Sequence, residues 1–355
     1  MGATAFGEAF EAVGGIDLPG QCRYAIEDLT FEVQCYSPVI GREIEVFLGG
    51  NSRGPANGRS CRLVVVSPDK LPLLRRLFES GRVVHTSHLY PGVPLELRLN
   101  EVGLGLLTLQ DRCAILDLAT LRILCTAPES TPGDRQRRFI NTLLVPVVNV
   151  VLEQNRRFLV HGASLALDGL GCLITATSGG GKTTATLALM ADGFDLLGDD
   201  LSIVDVSGPT PRLKSFSRGL RIVPDSLALF PELRHLEGQP LIDGKIEVQG
   251  RDLSTRPPIH EAQPALILFP EPSAGVPVRR LTAAETVERL VPNGLFVFGA
   301  HEWQARMLAI IDLANVAAGY AIDNRLAPKR IAALIRGLLA ADVACHQADP
   351  KGPCG

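Results

Sequence analysis

The chain has 355 residues, 46% hydrophobic and 21% charged, with a formal net charge of −3 at pH 7. That balance is ordinary for a globular protein with room for two domains, and it supplies no basic field of the kind that points to a nucleic-acid partner. The cysteines (22, 35, 61, 113, 125, 172, 345 and 354) include no C-x-x-C pair. They point to neither a zinc site nor a disulfide framework, and reduced cytosolic thiols are expected.

The N-terminal stretch MGATAFGEAFEAVGG lacks a basic region followed by an apolar one, so no secretory signal is expected. Phe6 stands where a myristoylation motif has Ser or Thr. Residues 1–127 read as a β-rich N-terminal domain, its role not legible. Strands are expected at FEVQCY (31–36), EIEVFLG (43–49), CRLVVV (61–66), LELRL (95–99), GLLTL (105–109) and CAILDL (113–118). GGNSRGPANGRS (49–60) reads as a loop and LPLLRRLFES (71–80) as a helix, while His85 and His88 stand alone, without a chemical context.

TAPESTPGD (126–134) is the candidate linker to a second domain over 128–340. FINTLLVPVVNVVLE (139–153) is too short to span a bilayer and is broken by Pro146, so a buried helix or helix pair is expected, in a cytoplasmic protein without a membrane partner. Strands then alternate with helices: GCLITAT (171–177), TTATLALMADG (183–193), FDLL (194–197), LSIVDV (201–206) and ALILF (265–269). TAAETVERL (282–290) opens with Thr282 and Glu285 in capping-box spacing. EWQARMLAIIDLANVAAG (302–319) and LAPKRIAALIRGLLA (326–340) read as amphipathic helices, and 341–355 as a disordered tail.

Between the strand at 171–177 and the helix at 183–193 lies Ala176-Thr177-Ser178-Gly179-Gly180-Gly181-Lys182-Thr183. This fits the phosphate-loop pattern G-x-x-x-x-G-K-[ST] except for alanine at its first position. Glycines let backbone amides turn inward around phosphate oxygens, the helix start adds its dipole, Lys182 adds a charge for the β- and γ-phosphates, and Thr183 offers a hydroxyl to Mg²⁺. The expected nucleotide-binding set is Ser178, Gly179, Gly180, Gly181, Lys182, Thr183 and Thr184, with ATP and Mg²⁺ as cofactors.

His161 precedes the loop in FLVHGASLALDGLGCLI (158–174), and Asp199-Asp200 follow it in LLGDDLSIV. H-G-x(6)-G-x-G-x-L-I-x(3)-S-G-x-G-K-[ST] followed by D-G-F-x-L-L-x-D-D resembles the catalytic core of HPr kinase/phosphorylase and its relatives, a core similar to that of ATP-dependent phosphoenolpyruvate carboxykinase. The resemblance covers 158–230 well and 265–325 loosely. It implies an α/β fold, with a mixed-sheet P-loop kinase core after the β-rich domain. It also implies ATP-dependent phosphate transfer to a serine-type hydroxyl of a protein or peptide; several relatives modify peptides, and relatives are often oligomers.

On that resemblance His161, Lys182, Asp199 and Asp200 are the catalytic candidates. The aspartates supply a metal contact and a base, and Thr183 with Asp200 forms the metal set. Two departures stand out. Thr184 replaces a glutamate after the G-K-[ST] element, and FSRGLR has Phe216 where the relatives' E-x-R-G-L-G has its glutamate, so reverse phosphorylase activity and recognition of HPr do not follow. Arg218, Arg221, Arg279 and Arg280 are candidates for transition-state charge or acceptor binding, or else surface ion pairs. An ATP-gated binding module and a carboxykinase-like enzyme are the competing readings.

Overall fold

The computed structural model describes residues 6–8, 10–11, 18–26, 28–48, 58–70, 82–90, 93–99, 105–109, 112–127, 140–176, 179–216, 220–242, 244–248, 253, 259–273, 275–294 and 300–348. The chain divides into two compact units, residues 1–155 with 296–303, and residues 156–295 with 304–355. Both are α/β and built on mixed sheets.

In the first unit the described strands are β1 (Gly20–Ile26), β2 (Leu29–Cys35), β3 (Arg59–Val66), β4 (Arg82–Tyr90), β5 (Val93–Leu99), β6 (Gly105–Leu109), β7 (Arg112–Asp117) and β8 (Arg122–Thr126). They form one sheet in the order β1-β2-β3-β8-β7-β6-β5-β4, parallel at β2/β3 and β3/β8 and antiparallel elsewhere. The alternation Leu29, Phe31, Val33, Cys35 is buried, its intervening residues half-buried, as a strand with one core face requires. Phe6, Phe10, Val64, Val66, Cys113, Ile115 and Leu124 make a core cluster.

One expected strand is a helix. Residues 43–49 lie in or directly after α1 (Pro38–Leu48), which buries Ile40, Ile44, Phe47 and Leu48. Those positions repeat at i, i+4, i+7 and i+8, one face of a helix. The alternation of Ile44, Val46 and Leu48 imitates a strand only when the window begins at Glu43. The apolar run at 139–153 is a π-helical turn (Ile140–Leu144) followed by α2 (Val145–Glu153), with Pro146 in the first turn, where its missing N–H has no helical partner to lose. The π-turn packs on β6, β7 and α1, and the change of unit falls between Asn155 and Arg156 rather than at residue 127. The helix expected at 71–80 and most of the stretches 49–60 and 126–134 lie outside the described residues.

In the second unit the described strands are β9 (Arg157–His161), β10 (Ala163–Leu167), β11 (Leu170–Ile174), β12 (Asp195–Gly198), β13 (Leu201–Asp205), β14 (Arg212–Lys214), β15 (Leu220–Ile222), β16 (Leu241–Ile242), β17 (Lys245–Val248), β18 (Glu261–Glu271), β19 (Val278–Arg280) and β20 (Ala318–Asp323). The main sheet runs β12-β10-β11-β18-β14-β13-β9, with β20 also paired to β18 and β19 to β20. β18 is its spine, parallel to β11 and β20 and antiparallel to β14. Cys172, Ile174, Leu266 and Leu268 join one core while Leu173, Ile267 and Phe269 join the other. Burial on both faces explains why GCLITAT and ALILF are continuous apolar runs rather than alternating ones. β15, β17 and β16 form a small separate antiparallel sheet.

Four described helices longer than two turns belong wholly or largely to this unit: α3 (Lys182–Ala191), α4 (Ala283–Leu290), α5 (Ala300–Val316) and α6 (Pro328–Ala348). The capping box at α4 forms as expected, Thr282 accepting from the Glu285 amide and the Glu285 carboxylate accepting from Thr282 N–H at 2.8 Å. α6 packs on α3, where Arg336 bridges to the Asp192 carboxylate at 2.8 Å with its guanidinium over Phe194. Two expectations need correction. The helix read to Gly319 ends at Val316, and Ala318–Asp323 is a strand because β18 offers it a parallel partner. The tail read as disordered from 341 is helical to Ala348.

Candidate active site

β11 ends at Ile174 and α3 starts at Lys182, so the glycine loop sits at the C-terminal end of a parallel strand. Gly179 (φ +78°) and Gly181 (φ +98°) occupy the left-handed region that a side chain disfavours. Gly181 is the N-cap of α3, and among the described residues no side chain caps the helix; the first-turn amides have no partner four residues back. Thr183 and Thr184 are half-buried in that turn, and Ala176 is buried. Ser178 lies outside the described residues.

β9 and β13 run antiparallel with His161 opposite Leu201, which carries His161 to the turn Gly198-Asp199-Asp200. Gly162 N–H donates to the Asp200 carbonyl at 3.1 Å. Behind the turn, Ser202 Oγ lies 2.9 Å from the Gly162 carbonyl and 2.8 Å from Ser164 Oγ. Both serines are fully buried. A hydroxyl has one proton, so Ser202 donates to Gly162 and accepts from Ser164. Gly198 is required by close approach: a Cβ there would lie 2.5 Å from the Leu201 carbonyl oxygen and 3.1 Å from that of Phe216. Asp200 itself sits at φ +60°, a strained conformation that Asp tolerates better than most residues.

Three of the four catalytic candidates meet in this arrangement. Lys182 Nζ lies 2.9 Å from Asp200 Oδ1 and 3.2 Å from His161 Nε2. An ammonium group only donates, so Nε2 accepts and the imidazole proton sits on Nδ1. The fourth, Asp199, is 2% exposed. Its Oδ2 accepts the Arg221 N–H at 3.3 Å, and among the described residues its Oδ1 has no hydrogen-bond partner. Burial, with the neighbouring Asp200 carboxylate adding to it, raises the Asp199 pKa to about 6 from an ordinary 3.8, against the opposing pull of Lys182.

The donor set fits a small hard cation. A buried carboxylate oxygen without a hydrogen-bond partner among the described residues, beside a second carboxylate, is an excess of negative charge, and oxygen ligands of this kind suit Mg²⁺. Among the described residues no three His, Cys, Asp or Glu side chains form a metal cage. Mg²⁺ held by one or two carboxylates together with phosphate oxygens needs none.

The glutamate missing at 216 has been replaced by core. Phe216 is fully buried, and its backbone holds the strand leading into the aspartate turn, its N–H donating to the Leu197 carbonyl at 3.0 Å and its backbone bridging Gly198. Of the candidate arginines, Arg279 pairs with Glu285 at 2.8 Å; Arg221 lies beside the site, with its backbone on Asp199 and its side chain 3.9 Å from Glu247. Arg218 lies outside the described residues. The sequence did not single out Ser202, Ser164 or Asn324. Asn324 donates to the Gly180 carbonyl at 3.0 Å from 144 positions away, a separation that no local pattern signals.

No model of a known protein family and no curated protein matches this chain. Among solved structures it is similar to the HPr(Ser) kinase/phosphatase from Coxiella burnetii, at 16% identity over 55% of this chain and 99% of that one, with a TM-score of 0.30. At that distance the likeness carries no residue roles to this chain. Among the described residues, no helix is long and apolar enough to cross a membrane.

Proposed function

We propose that the chain is an ATP-dependent phosphotransferase that moves the γ-phosphate to a serine-type hydroxyl of a protein or peptide. One observation carries the reading: the lysine of a glycine loop is held at once by Asp200 and His161, with the orphaned carboxylate oxygen of Asp199 alongside. Phosphoryl transfer needs positioning and charge neutralisation more than covalent chemistry, and this set supplies both.

The Gly179–Gly181 backbone and the first-turn amides of α3 bind polyphosphate oxygens, and Lys182 exchanges its Asp200 partner for one of them. Thr183, Asp200 and Asp199 are the oxygen ligands available to Mg²⁺, which when bound neutralises charge on the transferring group. The aspartate that does not hold the metal takes the proton of the acceptor hydroxyl. Burial and the neighbouring Asp200 carboxylate raise the proton affinity of Asp199, which suits a general base working toward neutral pH. His161, with Nε2 on Lys182, keeps the ammonium group at the loop.

The test follows the γ-phosphate of Mg-ATP by ³¹P NMR with a pool of serine-containing peptides and proteins, using the wild-type protein beside Lys182→Ala. A new phosphomonoester that requires Lys182 is expected. Slow release of inorganic phosphate alone, or no turnover with any acceptor, would overturn the reading and favour an ATP-gated binding module.

A further inference from the structure

The glycine loop is braced from a strand that the motif does not include. β20 ends at Asp323, and the next residue, Asn324, donates from Nδ2 to the Gly180 carbonyl at 3.0 Å. Asn324 is itself fixed. Its own N–H donates to the Glu271 carbonyl at 3.1 Å, at the end of β18. On one side of it Asp323 N–H donates to the Pro277 carbonyl, and the buried Asp323 carboxylate is forked by Arg325 at 3.0 and 3.1 Å and accepts the Ser273 N–H. The contact with the loop is close as well as polar: a Cβ on Gly181 would lie 3.0 Å from Asn324 Cβ.

The peptide joining Gly180 to Gly181 is planar and trans, so its C=O and N–H point to opposite sides. With two glycines flanking it, that peptide has little intrinsic preference for one orientation. A donor fixed on the oxygen selects one, and the Gly181 N–H is then aimed away from Asn324. We infer that Asn324 is a positioning residue for phosphate: by holding the Gly180 carbonyl it keeps the Gly181 N–H turned toward the cradle before any polyphosphate arrives. Orienting donors in advance removes a reorganisation cost from binding. Because this role presupposes a polyphosphate in the Gly179–Thr183 loop, it stands on the function proposed above.

Binding of Mg-ATP, and separately of inorganic tripolyphosphate, is measured by calorimetry for wild type, Asn324→Ala, Asn324→Asp and Lys182→Ala. Asn324→Ala should raise the Kd of both probes roughly three- to tenfold, the range for one lost neutral hydrogen bond. Asn324→Asp should raise it further, since a carboxylate has no proton to donate and would repel the Gly180 carbonyl that the amide holds. Equal losses for the two probes locate the effect at the phosphates. The transfer rate at saturating Mg-ATP should be unchanged in Asn324→Ala, a split that a general loss of fold would not produce. Independently of any variant, the Gly181 amide proton of the wild-type protein should shift downfield on addition of tripolyphosphate. Wild-type affinity in Asn324→Ala, or an unmoved Gly181 amide in wild-type protein that binds the probe, would overturn the assignment. Wild-type protein that binds neither probe would instead remove the phosphate-loop reading on which it rests.

Discussion

Asp200 reaches Lys182 from the left-handed region, φ +60°, and closes an ion pair of 2.9 Å between a turn and the first residue of a helix. A non-glycine residue in that conformation costs of order 1 kcal/mol. The turn keeps it there with Gly162 N–H on the Asp200 carbonyl and Leu201 N–H on that of Asp199, at 3.1 and 2.7 Å. Strain retained beside a cation is what a charge-handling site shows, and it makes Lys182 the first residue to remove. Lys182→Met keeps the bulk of the stem and deletes the charge. Acceptor-dependent transfer should fall by at least about a hundredfold, in line with loss of one charge-stabilising group. Unchanged transfer in a phosphoester assay would show that the pair is only structural.

The neighbouring aspartate burdens the fold. Asp199 is raised to about 6 by burial and by Asp200, so between its ordinary 3.8 and that value the folded state binds more protons than the unfolded one. Stability is therefore highest below about pH 4 with respect to this group and falls as pH rises through 6. Asn cannot ionise, so Asp199→Asn should be more stable than wild type at pH 7–8 by roughly 1–3 kcal/mol. The gain should vanish near pH 4 while transfer activity is lost at every pH. Urea titrations of the two proteins at pH 4 and pH 7.5 check the sign. A destabilised Asp199→Asn at pH 7.5 would mean that the ionised carboxylate is better satisfied than its orphaned oxygen indicates.

The elements of this site differ in how far a sequence can announce them. The run from Ser178 to Thr183 is local: its glycines, lysine and threonine carry their meaning in order, between a strand and a helix that their own composition specifies. Asp199-Asp200 after a glycine likewise reads as a turn with chemistry. His161 is legible only through its spacing to the loop; the pairing of β9 with β13 is what brings it to the aspartates. Asn324 and the Ser202–Ser164 pair are ordinary polar residues whose roles exist only after distant strands meet. β20 was hidden for a related reason. AGYAID lacks the β-branched run that marks a strand, and it becomes one because β18 lends it a ladder while Gly319 lets Thr286 of α4 approach; a Cβ there would lie 2.0 Å from the Thr286 hydroxyl. α1 reads as a strand in sequence for the opposite reason, its β-branched residues outweighing a helical period that begins before them.

Ser202 offers a test of how tightly the turn is held. Ser202→Ala leaves the buried Gly162 carbonyl without its donor and the Ser164 hydroxyl without its acceptor, and should cost about 1–3 kcal/mol. Ser202→Thr retains the hydroxyl. If the pair positions His161 and Asp200, Ser202→Ala should lower kcat more than it raises KM for ATP, and Ser202→Thr should recover most of kcat. Equal activity in the two variants at matched stability would confine the serines to the core.

Two glycines separate the effect of backbone conformation from that of space. Gly179 has φ +78°, and among the described residues nothing lies within 4 Å of where a Cβ would stand, whereas a Cβ on Gly198 would lie 2.5 Å from the Leu201 carbonyl oxygen. Gly179→Ala should therefore cost about 1 kcal/mol through conformation alone. Gly198→Ala must displace the strand end that leads into Asp199, and should cost more, roughly 2–3 kcal/mol. The functional consequences should divide differently from the stabilities. Gly179→Ala should weaken polyphosphate binding while leaving the Asp199 ionisation in place, because the loop bends and the turn does not. Gly198→Ala should retain polyphosphate binding but move the acid limb of the transfer-rate profile, because the aspartate turn shifts relative to Lys182. Tripolyphosphate calorimetry and a pH–rate profile on each variant distinguish the two. If both variants lost binding and kept the same profile, the turn and the loop would be a single rigid piece, and the separation of cradle from base would be wrong.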